Sequence, residues 1–338
     1  MKHLLFSICT LLAVCLALSS CRHHHDDDPN TTPTVITVTL DREAPALYKT
    51  IEYAVDLQRT ETDGTGTANG DFPTLQGYSL RLTYEIYEGN IDHATSNETQ
   101  LIERRTNYLS SSATNDSIHT LLPKGDYFVL VFADYVTDTD HAPVAYDNSS
   151  LTHIIPLSTT PTDIRQRACL AGNCSLSALQ GATAQATVTL ASPTARLRFV
   201  ATDTQEFLSS GGNINDLSVK INYKNYIATG INLATMELEE IVSEYALTFP
   251  LVADNNQNEL SFVADYPFAD TQTETNVTAD ICVTDGNGKE ISRFNNIRIP
   301  FFRNKETRIK ACFLTQSTGG GIPIDEDFSG EHVVPYNE

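Results

Sequence analysis

Apolar and polar residues alternate along most of this chain, and the alternation predicts strands. Residues 35–40 (VITVTL) are a β-branched run closed by Asp41. In 50–57, Ile51, Tyr53, Val55 and Leu57 share one face and Glu52 and Asp56 the other, the pattern of a half-buried strand. Residues 79–87 repeat it with Leu80, Leu82, Tyr84 and Ile86. Strands over 100–108 and 117–122 follow, the second ending in a Pro123-Lys124-Gly125 turn. Residues 127–136 (YFVLVFADYV) are almost continuously apolar, which predicts a central strand buried on both faces. A Thr/Ser/Pro-rich stretch over 158–179 precedes a domain boundary placed near 182.

Beyond it, strands are predicted over 184–190, 196–201, 217–223, 260–264, 277–284, 297–302 and 307–314. Asp285-Gly286-Asn287-Gly288 signals a tight hairpin, because Asn and Gly accept positive φ cheaply. Residues 236–245 (MELEEIVSEY) space Leu238, Ile241 and Tyr245 near helical period, predicting a helix with Glu239 and Glu240 on its wet face. Short strands at this spacing predict an all-β chain of two tandem antiparallel β-sandwich domains, 35–182 and 183–316. Tyr127, Val129, Val131 and Leu82 are assigned to the first core, and Phe199, Val219, Ile281 and Ile309 to the second.

The ends read differently. Lys2 and His3 precede an apolar run over 4–18 that closes in Leu18-Ser19-Ser20-Cys21, the anatomy of a signal peptide over 1–20. The run is short for a membrane span, and no later run is long enough either. A cysteine at the cleavage point resembles a bacterial lipoprotein signal, in which the thiol is lipidated. Cys21 is therefore the lipidation candidate, and several acyl chains there would hold the outer membrane far more firmly than one. Residues 21–34 form a tether: after Cys21 they offer no apolar side chain but proline to offset the cost of ordering. His23, His24 and His25 beside Asp26, Asp27 and Asp28 can hold a metal only loosely, without neighbouring groups to orient the imidazoles, so no metal site is assigned. The acidic triplet resembles the surface-export signal of Bacteroidota lipoproteins and places the protein on the cell surface.

Without the first twenty residues, whose only charge is Lys2, 21 Lys and Arg face 43 Asp and Glu, and the net charge is −22. That charge repels nucleic acid and anionic lipid headgroups, so no nucleic-acid partner is expected. Cys169, Cys174, Cys282 and Cys312 belong to a compartment where disulfides persist, but spacing leaves bonded and free thiols equally open. No nucleophile, metal-protease or phosphate-loop motif stands in a fitting context, so no catalytic residue, no cofactor and no enzyme activity is expected. Asp134, Asp138 and Asp140 lack the glycine and terminal glutamate of a calcium loop. Asp116-Ser117-Ile118 matches a short O-glycosylation acceptor pattern that also arises by chance.

Several segments, taken in order, resemble the fimbrillin-like surface lipoproteins of Bacteroidota. They are Gly125-Asp126-Tyr127 through Ala133-Asp134-Tyr135-Val136; Leu190-Ala191-Ser192-Pro193-Thr194-Ala195-Arg196 with Phe199 and Ala201-Thr202-Asp203; Thr284-Asp285 through Arg303-Asn304-Lys305; and Gly319-Gly320-Gly321-Ile322-Pro323-Ile324-Asp325 with Phe328 and Gly330. Ser192 stands where arginine is usual. The resemblance implies transthyretin-like sandwiches and a fimbrial subunit, anchor or adhesin. Its partners would be other fimbrial subunits and a host or bacterial surface receptor. It also implies removal of the first strand by an arginine-specific protease and its replacement by a neighbour's strand. Arg42 and Arg59 are the candidate cleavage points, each also readable as an ordinary loop arginine. Residues 317–338 form a glycine-hinged tail. In it Ile322, Ile324, Val333 and Val334 are either a donor strand or part of a frayed end. The alternative function is glycan binding in polysaccharide uptake. The chain has no Trp for a sugar platform, so that reading needs clustered, exposed tyrosines.

Overall fold

The structure, a computed structural model, describes residues 30–54, 58–68, 70–91, 100–157, 161–253 and 260–315. Cys21, the tether through Pro29, and the tail with Ile322, Ile324, Val333 and Val334 lie outside the described residues. What is described is nearly all β, as expected.

The first sandwich faces a three-stranded sheet with a four-stranded one. In the former, β1 (Thr31–Leu40) lies between β6 (Asn115–Pro123), antiparallel, and β11 (Ala184–Leu190), parallel. The latter runs β10 (Leu170–Ala178), β7 (Gly125–Thr137), β4 (Tyr78–Glu88), β5 (Leu101–Ser110), antiparallel throughout. Ile36, Val38, Leu82, Tyr127, Val129 and Val131 meet in one core between them. In the second sandwich, β17 (Leu260–Asp265), β12 (Arg196–Ala201), β20 (Lys305–Ala311), β2 (Ala46–Tyr53) and β3 (Arg59–Asp63) form one sheet. The other is β16 (Tyr245–Pro250), β13 (Ser218–Tyr223), β18 (Thr275–Thr284) and β19 (Glu290–Phe301). Phe199, Val219, Ile281 and Ile309 share its core with Ile51.

Strand β7 is buried on both faces, as its apolar run predicts. Its odd residues Tyr127, Val129 and Val131 enter the first core. Its even residues Phe128, Leu130 and Phe132 enter a separate cluster with Tyr146, Ile154 and Ile231. These last come from a small sheet of β15 (Leu238–Val242), β14 (Ile227–Ile231), β9 (His153–Pro156) and β8 (Tyr146–Ser150).

Two expectations are corrected. The chain does not divide into independent sandwiches at 182. The β2–β3 hairpin of the first half closes the second sandwich by pairing parallel to β20, and β11, beyond the boundary, closes the first by pairing parallel to β1. The small sheet joins β9 to β14 across the same boundary. Parallel partners come from distant parts of the chain, so periodicity locates these strands without revealing their neighbours. The helix expected over 236–245 is instead β15 and the start of β16. Met236, Glu240 and Glu244 have positive φ, so the strand direction is interrupted every fourth residue. The apolar stripe read as helical is split between two strands, Leu238 and Ile241 on β15 and Tyr245 on β16, and Ile241 is exposed.

Candidate functional site

Strand β1 is the most distinctive seat in the fold. Its β-branched run suits a pleated surface, and Thr32, Thr34, Ile36, Val38 and Leu40 point inward along it. The two buried hydroxyls are satisfied: Thr32 Oγ1 donates to the Leu179 carbonyl at 3.1 Å and Thr34 Oγ1 to the Thr32 carbonyl at 3.1 Å. Pro33, which has no N–H, lies before the β11 pairing begins at Thr34↔Ala184. Removing β1 would leave β6 and β11 two strand spacings apart, about 10 Å, over an exposed core.

Arg42 follows directly and is held in place. Its guanidinium donates to the carbonyls of Ala113 (3.3 Å), Phe72 (3.4 Å) and Pro73 (3.1 Å) and to Thr74 Oγ1 (3.1 Å). It also lies 5.0 Å over the Phe72 ring, and Phe72 stacks on Tyr135. Tyr135 donates its hydroxyl to the Pro73 carbonyl, so the loop that grips Arg42 is itself gripped by β7. Arg59 sits elsewhere. It opens edge strand β3 of the second sandwich, opposite Tyr53, and pairs with Glu61 at 2.5 Å.

The last described residues are held by a residue that no chemical motif marks. Asp203 Oδ2 accepts from the backbone N–H of Leu314 (2.8 Å) and Thr315 (2.6 Å) and from Thr315 Oγ1 (2.8 Å). Leu314 and Thr315 line a cleft of about 900 Å³ with Phe207, Asn213, Leu217 and Asn287. Asp203 belongs to the Ala201-Thr202-Asp203 segment of the family resemblance, the one signal pointing to it. Other residues of those segments are also architectural. Arg196 donates to buried Glu306 at 2.6 Å and to the Gly70 carbonyl at 2.7 Å, and Arg303 holds the carbonyls of Ala269 and Met236.

The remaining candidates do not converge. Asp134 is buried and receives a two-pronged bond from Arg81 (2.9 and 2.6 Å). Burial pushes its carboxyl up to about 6, against the pull of Arg81. Asp138 accepts from Ser79, and Asp140 from Thr137. Among the described residues no group of three or more His, Cys, Asp or Glu is placed to hold a metal. Among the described residues the four cysteines, Cys169, Cys174, Cys282 and Cys312, are free. Cys169 and Cys174 are an odd number of residues apart beside and on β10; Cys169 joins the small-sheet cluster and Cys174 packs on the first core, opposite faces that cannot bridge. Burial pushes the Cys174 thiol up to about 11. On β6, Asp116 accepts from Tyr84 and Asn107 while Ser117 is exposed. Among the described residues the tyrosines that count as exposed large apolar side chains, Tyr108 and Tyr226, lie on β5 and in the β13–β14 turn, in different sandwiches.

The model of a family of unknown function, DUF6562, matches residues 31–337. No curated protein matches the chain. Solved structures overlap it loosely. A proposed polysaccharide-binding protein of Bacteroides thetaiotaomicron is 12% identical, with 78% of this chain and 80% of that one covered at a TM-score of 0.42. A proposed cell adhesion protein of Bacteroides ovatus is 11% identical, with 83% and 92% covered at 0.43. The fimbrial anchor protein Mfa2 of Porphyromonas gingivalis is 12% identical, with 77% and 81% covered at 0.35. Overlaps this loose carry no functional argument.

Proposed function

The chain belongs to DUF6562, a family of unknown function, and we propose that it is a non-enzymatic, lipid-anchored subunit of a surface fimbria. Cys21 holds it to the outer membrane, and β-strand addition joins it to other fimbrial subunits.

The observation that carries this reading is the seat of β1. A ten-residue strand fills a slot between β6 and β11 with five inward side chains. Such a slot suits strand exchange, in which ladder bonds give affinity and alternate side chains fill pockets. The strand begins ten residues after Cys21, so cutting at Arg42 would part the folded body from its lipid. The grip on Arg42 favours retention of both strand and lipid, which suits an anchor: the slot then keeps its own strand, and β-strand addition to a neighbour runs through the tail, whereas a released shaft subunit would open the slot. Asp203 holds Leu314 and Thr315, the last described residues, in the second sandwich, and Ile322, Ile324, Val333 and Val334 of the tail would supply a strand to a neighbour. Glycan binding draws no support from the separated Tyr108 and Tyr226.

Replacing Cys21→Ala and fractionating the cells tests the anchor. The variant is expected in the soluble fraction. Unchanged membrane retention of a fully processed variant would overturn the reading.

A further inference from the structure

We propose that the end of the first sandwich where β1 enters is a membrane-contact surface that seats on the bilayer holding the Cys21 lipid; this rests on the lipid-anchored reading above. Four features of the fold converge at that end. Strand β1 starts there, β6 finishes there, β10 finishes there and β11 starts there. The register fixes this: Thr31 lies opposite Pro123, Pro33 opposite Leu121, and Thr34 opposite Ala184. Thr32 reaches the carbonyl of Leu179, the residue just beyond β10. The backbone N–H of Lys124, in the β6–β7 turn, bonds the Asn30 carbonyl at 3.3 Å.

The side chains at this end are unusual for a soluble surface. Leu121, opposite Pro33 on β6, is 53% exposed, and Leu179, whose carbonyl accepts from Thr32, is 61% exposed. Pro123 and Lys124 are exposed beside them. A lysine among aliphatic side chains fits the headgroup boundary, where its stem lies along apolar surface and its ammonium reaches phosphate. The acidic Asp126 nearby accepts from Ser177 Oγ at 2.6 Å.

Two leucines are a weak contact by themselves, and isolated exposed leucines need no explanation. Their position changes the argument. Only residues 22–30 separate Cys21 from Thr31, a span of at most about 3.5 Å per residue. A short tether makes the second contact intramolecular, at an effective concentration in the millimolar range. Weak apolar contacts are then populated. The consequence is orientation: the first sandwich stands on the membrane, and the second sandwich is held outward.

The chain contains no tryptophan, so a single introduced one reports its own surroundings. The lipidated full-length protein is prepared as Leu121→Trp, Leu179→Trp and Tyr226→Trp. Each is reconstituted into phosphatidylcholine vesicles whose acyl chains are brominated near the glycerol. Tyr226 is 71% exposed in the second sandwich and serves as the distant site. All three positions are exposed, so the substitutions spare the cores. The expected result is at least about a twofold loss of emission at 121 and at 179, since interfacial residues sit roughly 5–10 Å into the boundary, and none at 226. Quenching at neither position, at only one of them, or equally at all three would overturn the proposal. If the protein fails to float with the vesicles, the lipid anchor itself is wrong, and the contact surface falls with it.

Discussion

At Gly172 on β10, an added Cβ would lie 2.7 Å from the Thr189 carbonyl oxygen and 3.0 Å from the Leu190 and Val188 side chains. The backbone oxygen cannot swing aside as a flexible side chain can. Gly172→Ala should therefore force β10 and β11 apart and cost about 1–3 kcal/mol, read as a lower urea midpoint. Asp134 gives a pH signature. Its folded carboxyl titrates near 6 because of burial, and the unfolded one near 4. The folded state thus binds the proton more tightly, and this group's contribution to stability falls as pH rises from about 4 to about 6. Urea midpoints of wild type and Asp134→Asn should diverge over that window, the wild type losing ground as pH rises; parallel curves would contradict the assignment. Neither residue's role is legible in sequence, because the atoms that constrain each belong to other strands. The opposite facing of Cys169 and Cys174 was legible once β10 was known to be a strand. The Ser/Thr/Pro-rich composition around it hid that strand.

Strand β1 owes its place to five inward side chains, two ladders and the grip on Arg42. Phe72 is the part of that grip that can be removed without cutting a backbone bond. Phe72→Ala should speed cleavage after Arg42 by an arginine-specific protease about five- to tenfold, since a partly desolvated cation–π contact is worth about 1 kcal/mol or more. Cleavage after Arg59 should keep its wild-type rate, and N-terminal sequencing distinguishes the two. A β-branched run located β1 and a continuous apolar run located β7, while alternation located β4 and most strands of the second half. It failed at 236–245, where three residues of positive φ reset the strand direction, and at β2, read over 50–57 and found over 46–53. The inward positions of β2 include Ile51 and Tyr53, which the reading did identify; its parallel partner β20 lies some 250 residues away.

The two sandwiches share strands in both directions, and they also share a buried charge. Arg167 donates to Asp265 at 2.9 Å, and Tyr223 of β13 donates to the other oxygen at 2.8 Å. Neither sandwich can lose its borrowed strand and keep its sheet. Heating should therefore unfold both in one transition, monitored by single tryptophans placed at Tyr108 and Tyr226; two separated transitions would show that the exchange of strands does not couple them. The number of sandwiches was legible from strand count and turns, while their mutual lacing was not. Whether the protein is a surface-anchored fimbrial subunit, as proposed, is decided by immunogold electron microscopy of intact cells, with and without the gene. Gold should decorate unpermeabilised cells at filaments, and the deletion strain should lose or shed those filaments. Gold that appears only after permeabilisation, or filaments unlabelled and unchanged by the deletion, would contradict it.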